Sequence, residues 1–235
     1  MSDPKHDNDE AVSFLRRWAM NGPWALTSIT IDKIKKLEGS LFKSDEEDRL
    51  REWLDTQAEA ERNVYFHVNT VIPEKLSGRP KASKQDMQRV THLHVDIDPR
   101  AGEDLGPERE RIKKLIEEPP KGVPKPTWAI FSGGGYQLFW ELEEPIEING
   151  DINKAETAEL YNLQLEFLFH ADHCHNVDRI MRLPGTINVP DKKKVAKGRK
   201  KELSKVVFFH DDRVYPISDF TKAACVQATG DEAGF

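Results

Sequence analysis

Helical and strand-like segments alternate along this chain without the regular spacing of repeated βαβ units. That pattern predicts an α+β fold, a mixed sheet with helices packed on it. Two further observations agree: the sequence predicts two β-hairpins, and it contains no internal repeat and no low-complexity segment. In chain order, residues 9–20 read as a short helix and Ala25–Ile31 as a strand rich in β-branched residues. Ser44 followed by Glu47 has the spacing of a capping box. It predicts a charged helix to about Glu61 with Leu50, Trp53 and Leu54 inward. Asn63–Val71 reads as a strand, and the polar stretch with Pro73, Gly78 and Pro80 as a loop. Thr91–Asp98 is the clearest strand, and Pro107–Glu118 a helix stopped by Pro119 and Pro120. Thr127–Phe131 and Tyr136–Leu142 form a hairpin around Ser132 and the glycines 133–135. Lys154 to about His170 predicts a long helix with Leu160, Leu163, Phe167 and Leu168 as its apolar side. Arg179–Leu183 is a short strand. Val206–His210 and Val214–Ile217 make a last hairpin through Asp211, Asp212 and Arg213, and residues 226–235 read as a linker.

The 235 residues suit one large domain or two small ones, and 37% apolar with 32% charged is an ordinary globular balance. No run approaches the ~20 apolar residues that span a bilayer, so no membrane partner is expected. The start, MSDPKHDNDE, is acidic and polar, where a secretory signal needs a basic start and an apolar centre. Cys174 and Cys225 make no disulfide framework, which suits a reducing cytoplasm. The net charge of −6 argues against a nucleic-acid partner only as a sum. Eight Lys or Arg (192, 193, 194, 197, 199, 200, 201 and 205) crowd residues 191–205. A second run, Lys75, Arg79, Lys81, Lys84 and Arg89, contains one acid, Asp86. Such segments either grip phosphates or form solvated loops.

Three segments carry chemistry. In THLHVDIDP, the period of two turns Leu93, Val95 and Ile97 to the core and His92, His94, Asp96 and Asp98 to the opposite face. Asp96 and Asp98 then stand ~7 Å apart at their Cα atoms. Carboxylates so spaced can bracket two divalent cations for in-line attack on phosphate, and hard oxygen ligands select Mg²⁺ or Mn²⁺ over zinc. The second segment is SGGGYQLFWEL. Gly133, Gly134 and Gly135 strip a turn bare so that backbone N–H groups can approach a polyphosphate, with Ser132 and Gln137 as flanking donors. In residues 170–194, Arg179 and Arg182 offer bidentate phosphate forks, followed by Asn188 and Lys192, Lys193 and Lys194. Asp172 and Asp178 are both candidates for a third carboxylate. His170, His173, Cys174 and His175 have zinc-ligand identities. They form one short run without a second half, so no zinc is expected.

Together these segments resemble the archaeo-eukaryotic primase (AEP) superfamily, in particular the primase-polymerase domains of phage and plasmid replication proteins. The family's first motif, two acids one residue apart at a strand end, matches Asp96-Ile97-Asp98. Its second, Ser-Gly-x-Gly-x-His, matches Ser132–Tyr136, with Gln137 in place of the histidine. Its third, an aspartate after a long helix, an arginine pair and Leu-Pro-Gly-Thr-x-Asn, matches Asp172, Arg179 and Arg182–Asn188. The resemblance covers about residues 20–220. It implies an RNA-recognition-motif-like sheet joined to an N-terminal α/β lobe, with the active cleft between them, over a catalytic domain of residues 1–225. It implies a template-dependent DNA primase or polymerase that starts or extends primers in mobile-element replication. Asp96, Asp98 and Asp172 would hold two metals. The glycine hairpin, Gln137, Arg179, Arg182 and Asn188 would hold a dNTP or NTP. The implied partners are a single-stranded DNA template on Lys192–Lys194, a primer strand, and a helicase, fused or separate. Glutamine at 137 can donate a hydrogen bond to phosphate but carries no positive charge. Two other classes fit part of the pattern: a catalytically weak origin- or single-strand-binding module, and a metal-dependent nuclease.

Overall fold

The computed structural model describes residues 4–32, 34–76, 78–100 and 102–224; the expected linker at 226–235 and Cys225 lie outside the described residues. Helix α1 spans Asn8–Trp18, started by Asp7, whose carboxylate accepts from the Glu10 N–H at 3.0 Å. There follow β1 (Trp24–Ile29), β2 (Leu37–Phe42), α2 (Glu47–Glu59), β3 (Asn63–His67), β4 (Thr70–Val71) and β5 (Met87–Ile97). Then come α3 (Leu105–Glu117), β6 (Trp128–Phe131), β7 (Tyr136–Glu147), α4 (Ile152–Phe169), β8 (Ile180–Arg182) and β9 (Ile187–Asn188). The last elements are α5 (Lys192–Ala196), β10 (Glu202–Leu203), β11 (Lys205–Phe209) and β12 (Val214–Tyr215). The fold is α+β. No helix among the described residues is long and apolar enough to cross a membrane.

One sheet has the strand order β2-β1-β3-β8, all antiparallel. The larger, six-stranded sheet runs β11-β6-β7-β5-β4 with β12 beside β7, and β9 pairs with β10. Strand period divides the larger sheet between two cores. Trp128, Ile130 and Phe139 join α1 and the smaller sheet in one core. Ala129, Leu138 and Trp140 join residues of α3 and α4 in the other.

Several expectations are corrected by packing. The strand expected over Asn63–Val71 is two pieces in different sheets. At the break, Asn69 accepts from the Thr91 and His92 N–H groups and donates to Val177 O. The run before α2 is not a Ser44 cap: the helix starts at Glu47, and Glu46 accepts from the Lys43 N–H and pairs with Arg49. Strand β2 carries no alternation strong enough to have been read from sequence. The last two strands do not pair with each other; β11 lies antiparallel on β6 and β12 parallel on β7.

The buried face of α4 differs most. It is Ala155, Ala158, Glu159, Asn162, Leu165, Glu166 and Phe169, while Phe167 is 56% exposed. Three of these buried residues are polar because they hold the backbone that follows the helix. Glu159 accepts from the Val177 N–H (3.0 Å), Asn162 donates to His175 O (3.1 Å), and Glu166 accepts from the Cys174 N–H and from His175. Nor are His92 and His94 on a wet face. His92 stacks on Trp18 at 3.9 Å, and His94 is fully buried. Burial pushes both imidazoles well below their ordinary range, to about 3 and about 4, so both are neutral. A neutral His94 carries its proton on Nε2, which donates to Cys174 O at 2.9 Å.

Candidate active site

The end of β5 presents Asp96 and Asp98, and β7 runs antiparallel beside it, with Asp96 paired to Gln137 and Ile97 to Tyr136. The glycine hairpin therefore sits directly beside the carboxylates. Its turn closes on itself: Ser132 N–H donates to Gly135 O (3.0 Å), and Ser132 Oγ accepts from the Gly135 N–H (3.1 Å). A Cβ on Gly135 would lie 2.2 Å from Ile97 O and 2.6 Å from Asp98 Oδ1, so only glycine fits there. Gly133 has φ +83° and lies against Asn188.

Asp172 reaches the same place through the backbone that α4 holds. Its N–H donates to Asp96 O (2.9 Å) and its carboxylate accepts from the Asp98 N–H (3.2 Å). Asp178 has other partners: it accepts from Asn176 (2.7 Å) and lies 3.7 Å from Lys81 Nζ. Burial and the Asp98 charge, with a smaller push from Asp172, raise the Asp96 carboxyl to about 7 against the opposing pull of Arg179 and a Gln137 hydrogen bond. Asp172 is raised too, first by partial desolvation and then by Asp98, although the residue stays exposed.

Asp96, Asp98, Ser132, Gly133, Gly134, Gln137, Arg179, Arg182, Asn188 and Lys194 line one pocket of about 200 Å³. Gln137 lies beside Asp96 in the ladder, lines the pocket and is 3% exposed, with its Oε1 buried and unpartnered. Ser132 closes the turn. Arg182 is 6% exposed and donates to Tyr65 Oη and Asn188 Oδ1, both at 3.1 Å. Asn188 Nδ2 donates to Ser132 O (2.9 Å), which ties the arginine to the hairpin. Arg179 Nε and Arg182 Nη1 are buried with no partner. Lys192 and Lys193 are exposed and outside the pocket lining.

The pocket also holds Tyr65, Arg199 and Lys200, none of them read from sequence as nucleotide-side residues. Tyr65 was detectable: in β3 it alternates with the buried Val64 and Phe66. The basic run Lys75–Arg89 is largely neutralised internally, through Arg79 with Asp86, Lys81 with Asp178, and Lys84 with Glu159. Among the described residues, no three His, Cys, Asp or Glu side chains gather into a cluster able to hold an ion as they stand. Carboxylate oxygens are the donor type that a hard cation takes. Asp98 and Asp172 are exposed at the rim, and the raised Asp96 carboxyl is a charge that a cation would stabilise.

Solved structures similar to this chain include primase and primase-polymerase domains. The AEP domain of the cyanophage S-2L primase-polymerase superposes with a TM-score of 0.59 at 14% identity, over 92% of this chain and 96% of that one. The chain has the AEP primase-polymerase fold. Primase RepB′ gives a TM-score of 0.56 at 11% identity over 86% of this chain and 57% of its own length. The RepB′ catalytic domain in complex with initiator DNA gives 0.53 at 12%, over 86% of each chain. No family model and no curated protein sequence matches the chain. At these identities the AEP likeness is one of fold.

Proposed function

We propose that this AEP-fold chain is a template-dependent nucleotidyltransferase, a DNA primase or polymerase, with residues 1–225 as its catalytic domain. On this reading the larger sheet is the RNA-recognition-motif-like lobe, and the pocket is the active cleft against the N-terminal lobe. One observation carries the proposal: a carboxylate-bearing strand end, a bare glycine turn and two arginines with unpaired buried nitrogens line a single pocket. Unpaired buried donors are costly unless an acceptor arrives, and a triphosphate supplies many. Arg179 and Arg182 bind and orient the phosphates, with Arg182 held by Tyr65 and Asn188. Asp96, Asp98 and Asp172 would hold Mg²⁺ or Mn²⁺, which would supply charge neutralisation and activation of the primer hydroxyl. Gln137, beside Asp96 in the ladder and in the pocket lining, offers its amide to the phosphates. The likeness to a cyanophage enzyme supports a setting in mobile-element replication.

The test is incubation with a primed single-stranded DNA template, dNTPs or NTPs, and Mn²⁺. Extension supports the proposal, cleavage makes the chain a nuclease, and retention without product makes it a binding module. In this assay Asp172→Asn should lower extension by at least about a hundredfold, since it removes a charge at the metal site. Asp178→Asn should cost less than about tenfold, because Asp178 faces Lys81 and Asn176. The reverse ranking would move the third carboxylate to Asp178.

Lys192 and Lys193, exposed beside the pocket, are proposed contacts for the DNA strand, with Lys194 between them and the nucleotide. Replacing all three with Ser should weaken single-strand binding and flatten the slope of log K against log salt by ~0.7 for each phosphate left unneutralised. An unchanged slope in a fluorescence-anisotropy titration would make this a solvated helix only.

A further inference from the structure

Residues 190–201 form a strap from the arginine motif back across the glycine hairpin. One end is set by Asp191, whose carboxylate accepts from the Lys194 N–H at 2.8 Å and starts the five-residue α5. The other is anchored by Lys201 to Glu61, and by Glu202, which pairs with Asn188 in the β9–β10 ladder and receives Arg109 at 2.7 Å. Between these anchors Arg199 turns inward, and its Nη1 donates to Gly134 O at 2.8 Å. The middle glycine permits this approach, since a Cβ there would lie 3.1 Å from Arg199 Nη1 and 3.5 Å from Asp98 Oδ1. Among the described residues no carboxylate pairs with Arg199, Lys194 or Lys200, whereas Arg16, Arg49, Arg51 and Arg62 each pair with a glutamate. All three line the pocket together with Arg179 and Arg182, which carry the buried, unpartnered Nε and Nη1.

A guanidinium has five donors, and here one of them meets a neutral carbonyl. It lines the pocket on the side that carries Arg179, Arg182, Lys194 and Lys200, across the hairpin from Asp98. We infer that Arg199 is a polyphosphate ligand, a third guanidinium that the strap lays over the triphosphate opposite Arg179 and Arg182. The inference rests on the reading of this pocket as a nucleoside triphosphate site. It divides the basic segment: Arg199 serves the nucleotide, and Lys192 and Lys193 face the nucleic-acid strand. It also gives Gly134 a reason of its own, clearance for Arg199.

The test uses the whole chain and two probes, inorganic tripolyphosphate by calorimetry and a single-stranded oligonucleotide by anisotropy. Arg199→Ala should weaken tripolyphosphate about tenfold to a hundredfold, as loss of hydrogen bonds to a charged group does. It should raise the KM for nucleotide by a similar factor, change kcat less than about threefold and leave oligonucleotide affinity unaltered. Arg199→Lys should restore part of the loss. Gly134→Ala, which keeps every charge, should shift the Arg199 guanidinium by a few tenths of an ångström and weaken tripolyphosphate in the same direction but less than Arg199→Ala, with little added effect in an Arg199→Ala background. Unchanged tripolyphosphate affinity in Arg199→Ala, or a loss confined to the oligonucleotide, overturns the assignment. The two readings fail separately. A chain that binds tripolyphosphate through Arg199 but never extends a primer refutes only the polymerase. A chain that extends primers with an indifferent Arg199 refutes only this inference.

Discussion

Asp96→Asn should abolish primer extension and, in metal-free buffer, make the protein more stable. The activity loss should reach at least about a thousandfold, the equivalent of roughly 4 kcal/mol of transition-state stabilisation, because the substitution removes a metal-holding charge. The stability gain follows from the raised carboxyl. In the unfolded chain Asp96 ionises near 3.8, and in the fold near 7, because burial and Asp98 oppose its charge. The folded state therefore loses stability relative to the unfolded one as pH rises from about 3.8, and the full cost is reached above about 7. Asparagine keeps the shape and carries no charge. In EDTA the difference in Tm between variant and wild type should be positive and should grow from pH 5 to pH 8. Millimolar Mn²⁺ should shrink or reverse it, since only the wild type gains a bound cation. A difference that is flat with pH would mean that Asp96 is not held in a charge-opposing site.

Gly135→Ala should disable the protein through geometry alone. The added methyl would stand 2.2 Å from Ile97 O, 2.6 Å from Asp98 Oδ1 and 2.8 Å from Asp98 Cα, so the hairpin and the end of β5 must separate. Overpacking of this kind costs about 1–3 kcal/mol, a fall in Tm of several degrees for a chain of this size. The displacement falls on the strand end that carries the carboxylates, where an ångström can cost about a hundredfold in rate. Gly106→Ala, in α3 with nothing within 4 Å of its Cβ, is the control and should leave activity unaltered and Tm equal or slightly raised. Activity in Gly135→Ala equal to that control would remove the glycine turn from the site.

Much of the pocket was legible because its parts are local signals. Period two along Thr91–Asp98 puts Asp96 and Asp98 on one face whatever the strand packs against. Three successive glycines between apolar runs can only be a turn, and Arg179 and Arg182 fall on a short strand before Pro184-Gly185. These are constraints of backbone geometry, and each acts within a few residues. The alternation that placed Asp96 also turned His92 and His94 outward, and that half failed. A strand knows its two faces but not what covers them, and here Trp18 and the Cys174 carbonyl do.

By itself, then, the sequence determined the α+β class, the strand end, the bare turn and the arginine pair. Only the tertiary structure decided which face of α4 is buried, how the backbone brings Asp172 beside Asp96, and which of many exposed cations enters the pocket. The physical reason is common to all three. Glu159, Asn162 and Glu166 are inward because the backbone of residues 174–177 needs their hydrogen bonds. Asp172 joins the site because its N–H completes the end of β5, while Asp178 turns to Lys81. Arg199 enters because Gly134, distant in sequence, leaves room for it. A polar side chain takes its place from its partner, and periodicity carries no information about a partner that lies elsewhere in the chain.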